Sequence, residues 1–431
     1  MARQPGVAQV SCAEFIRFSA TDTIMTSSQI GGSSAAIELA DIRAHMQLQP
    51  ALSQVQPITP QEFQDRVNKA ARLMREQGIA ALLLPAGSSL YYFTGLRWYA
   101  SERLTAAILT PDAQVVFVTP AFEESKLRET LGEQAAIRLW QEEENPALLV
   151  RQWLKDLGCD RGPLAIDEST PFFVADALRQ ALPEQPLING VVITAECRMH
   201  KSAQEIALMQ TAKSITLDVQ RRAARILREG ITSTEVSDFI DSAHRAYGAG
   251  PSTFCIVSFG ALTAIPHGPD GVQTLREGDN VLIDTGCKVQ HYHSDITRSY
   301  VFGQPSARQR SIWNLEKEAQ EAAFHAAQLG VACEAVDAAA RRVLAAAGMS
   351  PDYALPGLPH RTGHGIGLDI HEWTYLVRGN TRPLAAGMCF SNEPMICIEG
   401  EFGVRLEDHF YMTEQGPRWF TGPSVAVDQP F

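Results

Sequence analysis

Two units of different class are predicted along this chain: a mixed α/β unit and, after it, an α+β unit of hairpins and helices. Between residues 80 and 182 short apolar runs alternate with amphipathic stretches, the pattern of strands wrapped by helices. Beyond residue 202 a long helix-period segment gives way to paired strand patterns separated by turn residues. The length of 431 residues accommodates two to three domains at roughly 150 residues each.

Residues 1–58 are rich in Ser, Gln, Ala and Thr, show no sustained period, and are expected to form an N-terminal extension that is poorly ordered in part. Met25 opens a more plausible start, so residues 1–24 are expected to be an upstream extension. The first domain is assigned to 59–195. Its opening helix has Thr59 as N-cap, Pro60 at the first helical position and Gly78 as terminator. Strands follow at 80–84, 106–109, 115–118 and 164–166, with helices at 123–130, 146–157 and 172–182. The second domain is assigned to 196–431. It begins with a helix from Ser202 whose Leu208, Ala212, Ile215, Val219, Ala223 and Ile226 define one apolar face, ending at Gly230. A capping box, Thr232 with Glu235, starts the next helix, and two more end at Gly330 and Gly348. Strand pairs are expected at 280–288 with 292–302, and at 388–398 with 404–412.

Composition narrows the function. The 37 basic against 49 acidic residues give a net charge of −12, which argues against nucleic acid or an anionic membrane as the main partner. No run approaches the roughly 18 apolar residues of a membrane span. The eight cysteines contain no C-x-x-C pair and the N-terminus carries no secretory pattern, so a reducing cytoplasm is expected.

The chemistry lies in acids that interrupt apolar strands. A hairpin turning between Val289 and Gln290 would set Asp284 directly opposite Asp295. A second hairpin centred on Gly400 would likewise oppose Glu393 and Glu407. Like charges so placed destabilise a strand pair unless a proton or a cation lies between them. His364 completes the set, with Gly363, Gly365 and Gly367 leaving room for the backbone to approach another element. Four carboxylates and one imidazole are a hard, oxygen-rich set suited to a pair of divalent ions: Mn²⁺ as first choice, with Co²⁺, Zn²⁺ or Fe²⁺ as alternatives.

The spacing of Asp284 and Asp295, the HGIG around His364, the NEP at Glu393 and the RLED at Glu407 resemble the pita-bread metallopeptidases, the family of Xaa-Pro dipeptidases (prolidases) and Xaa-Pro aminopeptidases. The resemblance implies an α+β pita-bread catalytic domain preceded by a creatinase-like α/β N-terminal domain. The segment around Arg198, Lys201, Glu205 and Ile206 looks like the start of the catalytic domain. It implies Asp284, Asp295, His364, Glu393 and Glu407 as ligands of two metal ions, and further functional positions at His267, His360, His371 and Arg405. Glu393 would double as a proton shuttle, needed because a prolyl nitrogen is a poor leaving group until protonated. A small proline-containing peptide is the implied substrate and a homodimer the implied assembly, with residues 91–103 as a lid over a neighbour's site. The dipeptidase is the first reading. The alternatives are an aminopeptidase on longer Xaa-Pro peptides, and an inactive or non-peptide-hydrolysing member of the fold.

One departure stands out: Cys397 occupies the place where this branch of the family usually carries a Tyr, and a small strand residue is the expected role for it. His291 and His293 flank the first hairpin turn as surface residues or substrate contacts. A dipeptidase also needs a cation for the substrate carboxylate. Arg405 is expected to face the acids, which leaves the region of Arg97 and Arg103 as the other source.

Overall fold

A computed structural model describes residues 30–48 and 55–431. The expected start at Met25 and extension over 1–24 lie outside the described residues. Helix α1 (Ala35–Leu48) corrects the unpatterned tail expected up to residue 58, because it is docked on the body of the protein. Ile42 is fully buried, and Glu38 pairs with Arg222 at 3.0 Å and Arg225 at 3.2 Å. Leu39 and Met46 pack beside Ile42 on the docked face, but Glu38 shares that face and Ile37 is exposed on the other, so the apolar period is masked in the sequence.

The α/β unit runs α2 (Pro60–Gln77), β1 (Ala81–Pro85), α3 (Ser88–Thr94), β2 (Ala106–Leu109), β3 (Val115–Pro120), α4 (Glu124–Leu131), β4 (Ile137–Trp140), α5 (Pro146–Asp156), β5 (Leu164–Ile166), α6 (Phe172–Ala181), β6 (Leu187–Asn189) and α7 (Val191–Arg198). Its six strands form one mixed sheet in the order β4-β3-β2-β1-β5-β6. The Thr59 hydroxyl caps α2 and Gly78 closes it in the left-handed conformation, as expected.

The α+β unit begins with α8 (Ala203–Arg225) and α9 (Ser233–Ala246), each started by a reciprocal capping box, Ser202 with Glu205 and Thr232 with Glu235. Next come β7 (Phe254–Phe259), β8 (Asn280–Gly286), β9 (Lys288–Val289), β10 (Tyr292–His293) and β11 (Ile296–Val301), then α10 (Ala307–Ala326) and α11 (Cys333–Ala346). The last stretch holds β12 (Gly363–Gly365), β13 (Glu372–Leu376), β14 (Cys389–Asn392), β15 (Met395–Ile398), β16 (Phe402–Arg405), β17 (Asp408–Thr413) and β18 (Gly416–Trp419). The six predicted face residues of α8 are all buried, but the helix stops at Arg225 and not at Gly230.

Each long strand expected from sequence is two shorter ones, the first broken at Cys287 and the other three at an acid. Asp295 lies between β10 and β11, Glu393 between β14 and β15, and Glu407 between β16 and β17. The second hairpin therefore passes from a five-stranded sheet, where β14 pairs with β17, into the separate β15–β16 pair. Among the described residues no helix is long and apolar enough to cross a membrane.

Candidate metal centre

The first hairpin turns one residue later than expected. Gln290 and His291 form a two-residue turn with positive φ at both positions (46° and 75°), and Tyr292 pairs with Val289. Asp284 therefore faces Thr297, and the register carries Asp295 to Gly286. The direct opposition of Asp284 and Asp295 is thus corrected to a diagonal on one face of the ladder, a spacing still within reach of interacting side chains. The second hairpin keeps the expected register: Ile398 pairs with Phe402, Met395 with Arg405 and Asn392 with Asp408, which brings Glu393 opposite Glu407.

Thr297 joins the two hairpins. Its carbonyl accepts from the Glu407 amide at 3.1 Å, and its hydroxyl donates to Glu407 Oε2 at 2.8 Å. His364 is brought in on β12, where glycine is required by close approach: a Cβ on Gly363 would lie 2.1 Å from the Ser391 carbonyl, and one on Gly365 would lie 2.6 Å from that of Glu372. The His364 Nδ1 is 3.0 Å from the Gly365 carbonyl, which turns Nε2 to the acids, 3.1 Å from Glu393 Oε1 and 3.7 Å from Asp295 Oδ2.

Ligand atoms of Asp295, His364 and Glu407 all lie within 4.8 Å of one another. Asp284 Oδ1, Asp295 Oδ1 and Glu407 Oε1 are buried with no hydrogen-bond partner among the described residues. Buried carboxylate oxygens left unpaired are costly, so this donor set fits divalent cations. Burial first, then the neighbouring carboxylates, push Asp295 and Glu407 well above the usual carboxylate range. Burial also raises Asp284, against the pull of Arg405. For Glu393 burial opposes the charge, but the hydrogen bond and charge of His364, with His360 and Arg405 beyond it, prevail and hold the carboxyl down to about 2.

Arg405 is fully engaged. It donates to Asp284 Oδ2 at 2.6 Å, Thr297 Oγ1 at 3.0 Å and the Pro266 carbonyl at 2.8 Å, so it fixes the loop carrying His267 while holding Asp284. His267 is exposed, yet close enough to His360 and His371 to disfavour their protonation. The His360 Nδ1 meets the Arg361 carbonyl at 2.7 Å, while its buried Nε2 has no hydrogen-bond partner among the described residues. The His371 ring lies 4.1 Å from that of His364, and burial with the His364 charge lowers its pKa to about 4.

A network that residue types alone do not reveal straps His371 in place. Arg198 donates to Asp369 Oδ2 at 2.7 Å and Glu372 Oε1 at 2.5 Å, and Lys201 donates to Glu372 Oε2 at 3.0 Å. Asp369 also accepts from the Ser88 hydroxyl of α3 at 2.5 Å, tying the segment to the N-terminal unit. The Arg198 and Lys201 motif thus bears on the site from the domain junction.

Cys397 is buried in β15 with its backbone paired to Gly357, and burial pushes its thiol up to about 11. This is the expected small strand residue. His293 is buried, whereas His291 sits at the turn with its ring edge-on to Tyr91 at 4.6 Å.

Paired hairpins that bury unpaired carboxylates beside an imidazole form a group that could hold metal, the arrangement of a candidate metallohydrolase centre. The model for metallopeptidase family M24 matches residues 207–414, and that for the creatinase/prolidase N-terminal domain matches 66–200. The chain is 36% identical over 354 residues to the probable dipeptidase PepE of Mycobacterium tuberculosis, covering 81% of this chain and 92% of that protein. Among solved structures, dipeptidase PepE from Mycobacterium ulcerans superposes with a TM-score of 0.79 at 34% identity, covering 85% of this chain and 97% of its own. A prolidase from Thermococcus sibiricus gives 0.76 at 31% identity, covering 84% and 97%. The chain belongs to metallopeptidase family M24, with the pita-bread fold and a creatinase-like N-terminal domain.

Proposed function

We propose that this peptidase hydrolyses Xaa-Pro dipeptides with two divalent metal ions, Mn²⁺ being the first choice, held by Asp284, Asp295, His364, Glu393 and Glu407. The observation that carries the reading is the set of unpaired buried oxygens on Asp284, Asp295 and Glu407 around the His364 Nε2. When bound, such ions lower the pKa of water and polarise a carbonyl. The chain's own residues do the rest. Glu393 takes a proton from the attacking water and delivers it to the prolyl nitrogen, which has none of its own. His267 and His371 donate to substrate oxygens, with Arg405 and Arg198 holding the segments that carry them. The seven described cysteines are free, which supports a reducing cytoplasm.

Substrate length follows from where a free cation stands. Arg405 is occupied by Asp284, and Arg103 is paired with Glu142 at 2.9 Å on the surface, which removes both as carboxylate clamps. Of the expected region Arg97 is left, with Lys288 near it. They line a cleft of about 890 Å³ together with His291 and with Asp369 and Ile370, the residues just before His371. These two cations recognise the free carboxylate of the C-terminal proline.

A comparison of an Xaa-Pro dipeptide, its C-terminal amide and an Xaa-Pro-Xaa tripeptide under one metal condition tests this. The dipeptide is expected to give the highest kcat/KM, and amidation to cost at least about tenfold, or about 1.4 kcal/mol. Equal or faster cleavage of the amide and the tripeptide would make the protein an aminopeptidase.

A further inference from the structure

Helix α8 turns a polar stripe toward the first hairpin. Lys213, Thr216 and Gln220 recur at intervals of three and four, which puts them on one face, and all three are fully buried. Gln220 donates to the Ile283 carbonyl at 3.1 Å and the Ile296 carbonyl at 2.6 Å. The Thr216 hydroxyl lies 2.7 Å from that of Ser294, and the Lys213 ammonium donates to the His293 carbonyl at 3.2 Å. The stripe thus grips residues 293, 294 and 296, the stretch from which Asp295 projects into the centre.

For this grip a neutral amide at 213 would serve, as it does at 220. A lysine there costs more, because its charge sits in the interior with no carboxylate bonded to it among the described residues. What it has instead is the face of Phe420 at 4.9 Å and the field of Asp295 and Glu407 beyond. Burial pulls its pKa down to about 8, with the Cys389 thiol first and then those acids resisting, and the His293 carbonyl and the Phe420 face are partners that suit an ammonium. The four carboxylates bring four negative charges, of which Arg405 and Lys213 offset two. A pair of divalent ions brings four positive charges to the remainder.

We propose that Lys213 is a positioning residue that doubles as a fixed internal cation behind the metal ligands, weakening the centre's hold on its divalent ions so that occupancy follows their free concentration. This rests on the ligand assignment above. The charge and the hydrogen bond predict opposite effects when the residue is replaced. Removing a positive charge from a site that binds cations tightens binding, whereas loosening the Asp295 segment weakens it.

The test is calorimetric titration of the metal-stripped full chain with Mn²⁺, for the wild type, Lys213→Gln, which keeps a donor for His293, and Lys213→Arg, which keeps the charge. Lys213→Gln is expected to bind the weaker ion at least about tenfold more tightly, and Lys213→Arg to stay within about threefold of wild type. Unchanged or weaker binding by Lys213→Gln overturns the proposal. So does failure of Lys213→Gln and Lys213→Met to fold in Mn²⁺ while Lys213→Arg folds, since the charge would then be structural. A wild type that takes up no Mn²⁺ refutes the ligand assignment itself, a result distinct from a wild type that binds while the variant does not shift.

Discussion

Asp284→Asn is expected to empty at least one metal position and to lower kcat/KM by at least about 10³-fold, or about 4 kcal/mol. Asparagine keeps the size of the side chain and can still accept from Arg405 at the 2.6 Å contact, so Arg405 stays in place to hold the Pro266 carbonyl. What is lost is the charge and the second oxygen, Oδ1, which is buried and has no hydrogen-bond partner among the described residues. In a site built from crowded carboxylates that oxygen is the part a cation needs. Metal content after dialysis and the dipeptide assay, on the same preparation, check the result. Full activity with one ion missing would place the chemistry elsewhere.

His364→Ala and His267→Ala are expected to separate ligand from helper. The His364 imidazole is fixed through Nδ1 and aims Nε2 at Glu393 and Asp295, so removing it should lose metal and activity together. His267 is exposed on a loop held at Pro266, and its loss should leave metal content unchanged while lowering kcat/KM by roughly 10²- to 10⁴-fold, the usual range for a proton-transfer or oxyanion group. Equal metal loss in both variants would make His267 a ligand.

The parts of the site that the sequence makes legible are those set by local rules. The Glu393 and Glu407 pairing needed only a hairpin centred on Gly400, and the glycines around His364 are required by backbone approach. The first hairpin turns one residue beyond its expected place because its turn uses Gln290 and His291 at positive φ, where glycine or asparagine is the usual signal. The strand breaks at Asp295, Glu393 and Glu407 were hidden because continuous apolar patterning does not record where a ladder changes sheet. Longer-range features left no local trace. Arg198 reaches Glu372 across 174 residues of chain, and Lys213 reads as an ordinary polar position on a helix until the hairpin packs against it. Helix α1 leaves little trace for a related reason, since Glu38, ion-paired to α8, shares the docked face with Leu39, Ile42 and Met46.

The central claim is that Asp284, Asp295, His364, Glu393 and Glu407 hold two divalent ions. Diffraction from crystals grown with Mn²⁺, collected at the manganese absorption edge, tests it most directly. Two anomalous peaks are expected among these five side chains in the wild type. Fully active crystals with no peak there, or with manganese only outside these residues, would contradict it.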